Sequence, residues 1–325
     1  MSTLNSRPTT TNKSFEDTAL TPFERAHLNA IGFDEGLTFF DGRYRVLVAN
    51  RQELREKAYG LLYNLYFEMG IAREKDHGMW LSIYDALPET TTFVAEDDTG
   101  CLQGALTVVF ESPMGLPADE LYKTEIDGLR RTEGRICELV SLGTKHKGKS
   151  SLKVLACLFY CAFLHGCRRE NPHVTIITIH SRYERFYCRN FCYEKLGPER
   201  CYAKVNSEPT VLLSLSLSKL SGLRHKKRVF PFYMFDYSVQ DEFDLAQKIR
   251  QSIRPMSDEA FFSLFIEKTN TWKMATPYQK FFIINKYSSI PENHNAVSRA
   301  LRMEPPKRHH DCNGTLHEPD RAVQR

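Results

Sequence analysis

The stretch that decides the fold runs from Arg135 to Gly197. It opens as RICELVSLGTKHKGKSS (135–151), continues as LKVLACLFYCAFLHGC (152–167) and returns as HVTIITIHSRYERFYCRNFCYEKLG (173–197). Ile136 to Leu142 is short, β-branched and apolar, interrupted by one carboxylate, Glu138, and reads as a strand. Lys145 to Ser151 is a turn of charged and small residues that opens a helix from about Ser150 to Arg169. Val174 to Ile179 is the next buried strand, and RYERFYCRN supplies a helical turn or two carrying Tyr187. A glycine just before a helix start is a ready place for a phosphate, because free backbone N–H groups and the helix dipole point at it.

Working outward, Tyr44 to Ala49 reads as a first strand and Asn50 as the cap of a helix over about 51–71. That helix carries Leu54, Ala58, Leu62 and Leu65 at helical spacing. It also holds four aromatics, Tyr59, Tyr63, Tyr66 and Phe67, more than one core face needs. Trp80 to Leu87 reads as a loop over the sheet. TTFVAEDD, Thr99-Gly100 and CLQGALTVVFE form a hairpin. Residues 112–134 read as an insertion with a helical second half. Tyr202 to Asn206 and Val211 to Leu217 read as strands of the same sheet. Beyond Leu220 come a charge run (HKKR), an aromatic run (VFPFYMFDY) and three helices near 241–254, 257–270 and 277–287. The division expected is a lead over 1–40, a sheet domain over 41–219, a helical extension over 220–300 and a polar tail over 301–325.

The bulk numbers exclude more than they assign. With 325 residues, 42% apolar and 26% charged, the chain is an ordinary globular one, and a formal charge of +4 does not imply nucleic acid. No window reaches the roughly 18 apolar residues of a membrane span, and the first 17 residues show no secretory signal. Nine scattered cysteines without a CxxC pair point to a reducing, cytoplasmic setting rather than a disulfide framework. Cys157 and Cys161 read as core. Cys188, Cys192 and Cys201 do not match a ligand spacing, and His309, His310, Asp311 and Cys312 read as solvated tail, so no metal is expected.

Three segments carry a family resemblance: RYRVLVANRQELREKAYGLLYNLYFEMG (43–70), CELVSLGTKHKG (137–148) and HSRYERFYCRNFCYEKLGPERCYAKVNSEPTVLL (180–213). Their order and the pattern from Tyr44 to Leu217 resemble the GNAT acyltransferases, and within them the bacterial long-chain N-acyl amino acid synthases. The resemblance implies an α+β fold with a mixed, mostly antiparallel sheet flanked by helices, here with a helical extension. It implies transfer of an acyl group from a phosphopantetheine thioester to the amine of an amino acid, with acyl carrier protein as donor and no bound cofactor. The superfamily's pyrophosphate loop, Gln/Arg-x-x-Gly-x-Gly/Ala, is here Lys145-His146-Lys147-Gly148-Lys149-Ser150. Coenzyme A presents a pyrophosphate and a carrier protein a single phosphodiester, so the altered loop favours the carrier. The usual Gly-Phe after the tyrosine helix is replaced by Cys192-Tyr193.

Within that resemblance each residue has two readings. Glu138, on a face with Ile136, Val140 and Leu142 by strict alternation, is the base for the amine or a buried acid paired with Arg135 or Arg182. Backbone N–H groups of Val140, Ser141 and Leu142 receive the thioester oxygen where similar enzymes splay this strand from the next. Tyr187 is the acid for the departing thiolate or a core ring. Lys145, His146, Lys147, Lys149 and Lys153 dock an acidic carrier or form a solvated helix start. Arg135, Arg182 and Arg185 are candidates for the acceptor carboxylate. The first helix and the 102–110 strand are expected to wall the acyl tail. The run 224–237 touches a membrane surface or packs on the core. The rivals are a coenzyme A-dependent N-acetyltransferase and a non-catalytic GNAT-like binding module.

Overall fold

The computed structural model describes residues 36–74, 77–145, 148–169, 173–224, 230, 232–235 and 239–287. Their strands are β1 (Leu37–Phe39), β2 (Tyr44–Val48), β3 (Thr91–Asp97), β4 (Leu102–Phe110), β5 (Ile136–Thr144), β6 (Val174–His180), β7 (Glu194–Lys195), β8 (Arg200–Tyr202) and β9 (Glu208–Ser216). They form one nine-stranded sheet in the order β1-β2-β3-β4-β5-β6-β9-β7, with β8 also on β9. Every pairing is antiparallel except β5 with β6. The β3–β4 hairpin closes as expected. Asp97 Oδ1 accepts from the N–H of Thr99 and of Cys101, each at 3.0 Å, and Gly100 takes φ 79°. The three-residue strand β1, inside the stretch read as a lead, is too short to show a period, yet Leu37 and Phe39 are buried.

Helix α1 (Gln52–Glu68) and α2 (Asp119–Thr132) lie on one face of the sheet, and α3 (Lys149–Arg169) on the other. α3 is apolar nearly all round because it is covered on two sides, by the sheet and by the extension. Cys157 and Cys161 sit wholly inside it, as read from the sequence. Asn50 does not cap α1. Its side chain instead donates to the carbonyl of Ser252 and accepts the N–H of Arg254 at 3.1 Å, because the returning C-terminal chain passes over it.

After α4 (Glu184–Phe191) and β9, the chain wraps the sheet. α5 (Leu217–Arg224), Phe230 and Phe232 lie on the α3 face, and α6 (Val239–Ser252) packs on α3, where Tyr160 Oη donates to Glu242 at 2.9 Å. The chain then crosses to the other face as α7 (Asp258–Phe261), a π-helical turn (Phe262–Glu267), α8 (Thr271–Met274) and α9 (Pro277–Ile284). Phe261, Leu264 and Phe265 pack there with Ile83, Tyr84 and Leu116. Tyr287 Oη donates to the Ala86 carbonyl and Tyr278 Oη to that of Pro113 at 2.8 Å. Of the aromatic run, Phe230 and Phe232 are buried in the core and Phe235 packs against it, while residues 225–229, 231 and 236–238 lie outside the described residues. Among the described residues no helix is long and apolar enough to cross a membrane.

α2 is held to the sheet by Tyr122, whose hydroxyl donates to the carbonyls of Pro198 (2.9 Å) and Thr210 (2.8 Å). Gly197 lies under its ring, and a Cβ there would stand 2.7 Å from ring carbons Cδ1 and Cε1. Gly197→Ala is expected to push the ring off both carbonyls and destabilise the fold by about 1–3 kcal/mol. The midpoint of chemical denaturation reads this directly.

Candidate active site

β5 and β6 are hydrogen-bonded partners only at Ile136–Glu138 and Val174–Ile176. Beyond Glu138, β5 stays paired with β4 as far as Thr144, and β6 stays with β9 as far as His180. The two parallel strands therefore part and leave a wedge with Glu138 at its apex. A bulge in β5 accompanies the divergence: Val140 pairs with Thr107 but Gly143 with Ala105, and Ser141 takes φ 53°. The extra residue shifts the alternation. Ile136 and Val140 share a core cluster on the α1 and α2 face, while Leu142 falls with Cys137 and Leu139 on the α3 face. Strict alternation, which groups Leu142 with Glu138, does not survive the bulge.

The ladder also sorts the backbone groups. The Ile136 carbonyl accepts from Glu111 N–H at 3.1 Å, and the same phase directs Val140 to β4. The carbonyl of Leu142 is turned out of the ladder and accepts Tyr66 Oη at 2.8 Å. Tyr66 was one of the surplus aromatics of α1. Of the others, Tyr59 and Tyr63 are buried, and Phe67 is half exposed.

Glu138 is 2% exposed and forms no ion pair among the described residues. Oε2 accepts the N–H of Ala118 at 2.9 Å. Burial raises its pKa to about 8, opposed by the Ala118 hydrogen bond, assisted by the charge of Asp119 and opposed again by Lys204. A carboxyl of this kind changes charge near neutrality and can accept a proton from an amine. The reading in which Arg135 or Arg182 pairs with it is not what the fold provides. Arg135 is exposed at the start of β5, away from the wedge, and its carbonyl accepts from His173 N–H at 2.8 Å. Arg182 is exposed and lies over the ring of Tyr183 at 4.8 Å, and Arg185 is exposed in the first turn of α4.

The insertion 112–134 thus supplies Glu138's donor. Leu116 N–H and both terminal nitrogens of Arg130 bind the Asp119 carboxylate at 2.5–2.7 Å, fixing the turn in which Ala118 sits. A backbone donor leaves no trace in residue identity, so nothing in the sequence marked it. Tyr84 stands on the same side, its hydroxyl pushed up to about 12 by burial and by the charges of Asp119 and Glu138. Tyr202 is raised by burial first and then by the charges of Glu120 and Glu138.

Tyr187 lies on the α3 face, 8% exposed, among Phe159, Phe186, Phe191 and Tyr193. Burial holds its hydroxyl far above the ordinary range, so it is protonated at neutral pH. Its charge, were it ionised, would also raise Tyr66, which brings the two hydroxyls into one neighbourhood across the sheet.

At the open end, Gly148 takes φ 75° just before α3, and its carbonyl accepts Leu152 N–H at 3.2 Å. Lys145, Lys149 and Ser150 are exposed there, while Lys153 lies over the Phe40 ring at 5.1 Å. His146 and Lys147 lie outside the described residues, as does the stretch 309–312. Ser150 is inside the first turn of α3. Ser151 is the serine tied to the preceding strand, through Thr144 Oγ1 at 2.6 Å.

Next to the apex, on the α3 face, lies an apolar cavity of about 40 Å³. Leu139, Phe163 and Phe191 line it, and so do Leu220, Phe230 and Phe232 from beyond β9. No lining residue comes from α1 or from 102–110, where walls were expected, because α1 is packed against β4 through Ala58, Leu62 and Ala105. Among the described residues no group of three His, Cys, Asp or Glu side chains is placed to hold a metal.

A mixed sheet that parts at a buried carboxyl, with a glycine turn opening a helix beside the gap, is a GNAT-like arrangement. Residues 57–216, just under half of the chain, match the family model of the N-acyl amino acid synthase FeeM, and this match supports an acyltransferase. Among solved structures it is similar to FeeM, an N-acyl amino acid synthase from uncultured soil microbes. The identity is 18% and the TM-score 0.50, over 59% of this chain and 97% of that one. The AHL synthase LasI follows at 16% identity and TM-score 0.42, over 54% and 90%. The CoA-dependent acyl-homoserine lactone synthase MesI stands at 13% and 0.42, over 61% and 98%. At these identities the likeness speaks for the fold alone. No curated protein sequence matches the chain.

Proposed function

We propose that this protein transfers a long-chain acyl group from the phosphopantetheine thioester of an acyl carrier protein to the amino group of an amino acid. The wedge that ends on a buried, proton-accepting Glu138 carries this reading. The pantetheine arm lies between β5 and β6, where Val140 is held by β4 and only the Ser141–Leu142 part of the bulge leaves backbone groups beside the thioester. The amine attacks the carbonyl carbon as Glu138 takes its proton. The tetrahedral oxyanion meets backbone N–H groups at the bulge, the C–S bond breaks, and Tyr187 supplies a proton to the departing thiolate. The acyl tail extends past Leu139 into the apolar cavity. Lys145, Lys149 and Lys153, with His146 and Lys147 in the same run, steer the acidic carrier, and Gly148 lets backbone approach its single phosphodiester.

The test is mass spectrometry of lipid extracts from cells producing the wild type or Glu138→Gln, followed by assays of the purified protein with acyl carrier and acyl-CoA thioesters. The expected result is a new long-chain N-acyl amino acid in the wild type, much reduced in the folded variant, and faster transfer from the carrier. Transfer from the CoA thioester alone would remove the carrier from this reading. Absence of any acylated amine would remove the reading itself.

A further inference from the structure

The three arginines available for an acceptor carboxylate all sit away from Glu138, which raises the question of which cation stands beside it. The turn Ala203–Val205, between β8 and β9, answers it. This turn lies on the β6–β9 side of the wedge, yet its far end is fastened to the other side. Asn206 Nδ2 donates to the carbonyl of Gly70, just past α1, at 3.2 Å, and Asn206 Oδ1 accepts from Arg73 Nε at 3.3 Å. The turn so bridges the wedge on the Glu138 face. Its backbone is held in an uncommon form: Asn206 and Ser207 are consecutive non-glycine residues at φ 58° and 60°, closed by Ser207 N–H to the Tyr202 carbonyl at 2.9 Å. Such conformations persist only where surrounding contacts impose them, and they gather at ligand clamps.

Lys204 is carried on this bridge. Its ammonium pairs with Glu120, two residues along from the Ala118 N–H that binds Glu138. Its charge reaches Glu138, where it works against the larger effect of burial. The rings of Tyr84 and Tyr202 stand on the same side. Lys204 and Glu120 are each about half exposed (54% and 49% of their side chains), and an exposed pair of this kind contributes little. A carboxylate from solution can therefore replace Glu120 on the ammonium at small cost, and Lys204 has further N–H donors to offer.

We propose that Lys204, held by the Ala203–Ser207 bridge over the wedge, receives the carboxylate of the acceptor amino acid and so sets its amine beside Glu138. The proposal rests on the acyl-transfer reading above and adds the selection of an amino acid over a plain amine. Glu120, released from Lys204, stays within reach of the incoming ammonium, which must reach Glu138 to lose its proton.

The experiment uses the full chain with three acceptor pairs: leucine and 3-methylbutylamine, phenylalanine and phenethylamine, tyrosine and tyramine. Both turnover and equilibrium binding by calorimetry are measured. Lys204→Met is expected to raise KM for the amino acid of the favoured pair at least tenfold with kcat nearly unchanged, to leave its decarboxylated partner unaffected, and to weaken amino acid binding to the same degree. Lys204→Arg is expected to restore most of the preference, since it keeps the charge. A Lys204→Met protein that still prefers the carboxylate-bearing member by the wild-type ratio would overturn the proposal, as would a wild type that binds none of the three amino acids. A wild type that binds an amino acid through Lys204 but acylates nothing would leave this site standing and remove the transfer reading instead.

Discussion

Glu138→Gln is expected to lower acyl-transfer turnover by roughly 10²–10⁴-fold, the range of a general base. The pH profile makes the result specific. A base works only when ionised. With a pKa of about 8, wild-type turnover should rise tenfold per pH unit below 8 and level off above it. The variant's residual rate should lack that limb. Stability should move the opposite way. The carboxyl's folded pKa lies above its ordinary value of 4.5, so the folded state binds the extra proton between the two values. Below pH 4.5 the group costs nothing. As pH rises toward 8 it destabilises the fold progressively, and above 8 the cost is complete. At about 1.4 kcal/mol per pH unit the total is of the order of 5 kcal/mol. Glu138→Gln should therefore match the wild type in denaturation at pH 4 and exceed it at pH 9. A variant less stable than the wild type at both pH values would show that the carboxylate is a structural group.

The second large effect concerns the acyl tail. Ala162, on α3, lines the cavity and is 3% exposed, so Ala162→Phe should fill it. Each methylene denied burial loses about 0.8 kcal/mol, about fourfold, so a tail four carbons too long should be disfavoured by the order of 10². Phe232→Ala should act in reverse. It removes a ring that lies edge-on to Phe163 at 4.8 Å and lets longer tails in. The measurement is the product profile from a mixture of acyl thioesters. A phenyl ring forced into a packed helix costs about 1–3 kcal/mol and loss of a buried one about 3–5 kcal/mol, so the profile is read only from variants shown to be folded. A profile unmoved by either change would place the tail on another path.

Both predictions involve parts of the chain that differ in how far sequence discloses them. Glu138 was legible because one carboxylate in a β-branched apolar run is conspicuous at short range. The apolar α3 and the hairpin at Thr99-Gly100 were legible for the same reason, since spacing and turn chemistry are local. The bulge at Ser141 was not, because an extra residue in one strand appears only against its partner's register. Nothing local in the sequence marks Lys204. Only the ties from Asn206 to Gly70 and Arg73 place it over the wedge, and those contacts join residues more than 130 positions apart.

Local pattern in the sequence by itself determined the main strands and helices, though not β1 or the Ala203–Val205 turn that reads as strand, and with them the family resemblance, the acid on β5 and the glycine turn before α3. The tertiary structure alone decided that Ala118 binds that acid, that Asn50 holds the returning chain rather than capping a helix, and that Phe230 and Phe232 close an apolar cavity. The physical reason is common to all three. Propensity and periodicity are properties of neighbours along the chain. A backbone donor, a crossing segment or a cavity wall exists only once distant segments have excluded water from one another and must satisfy each other's polar groups.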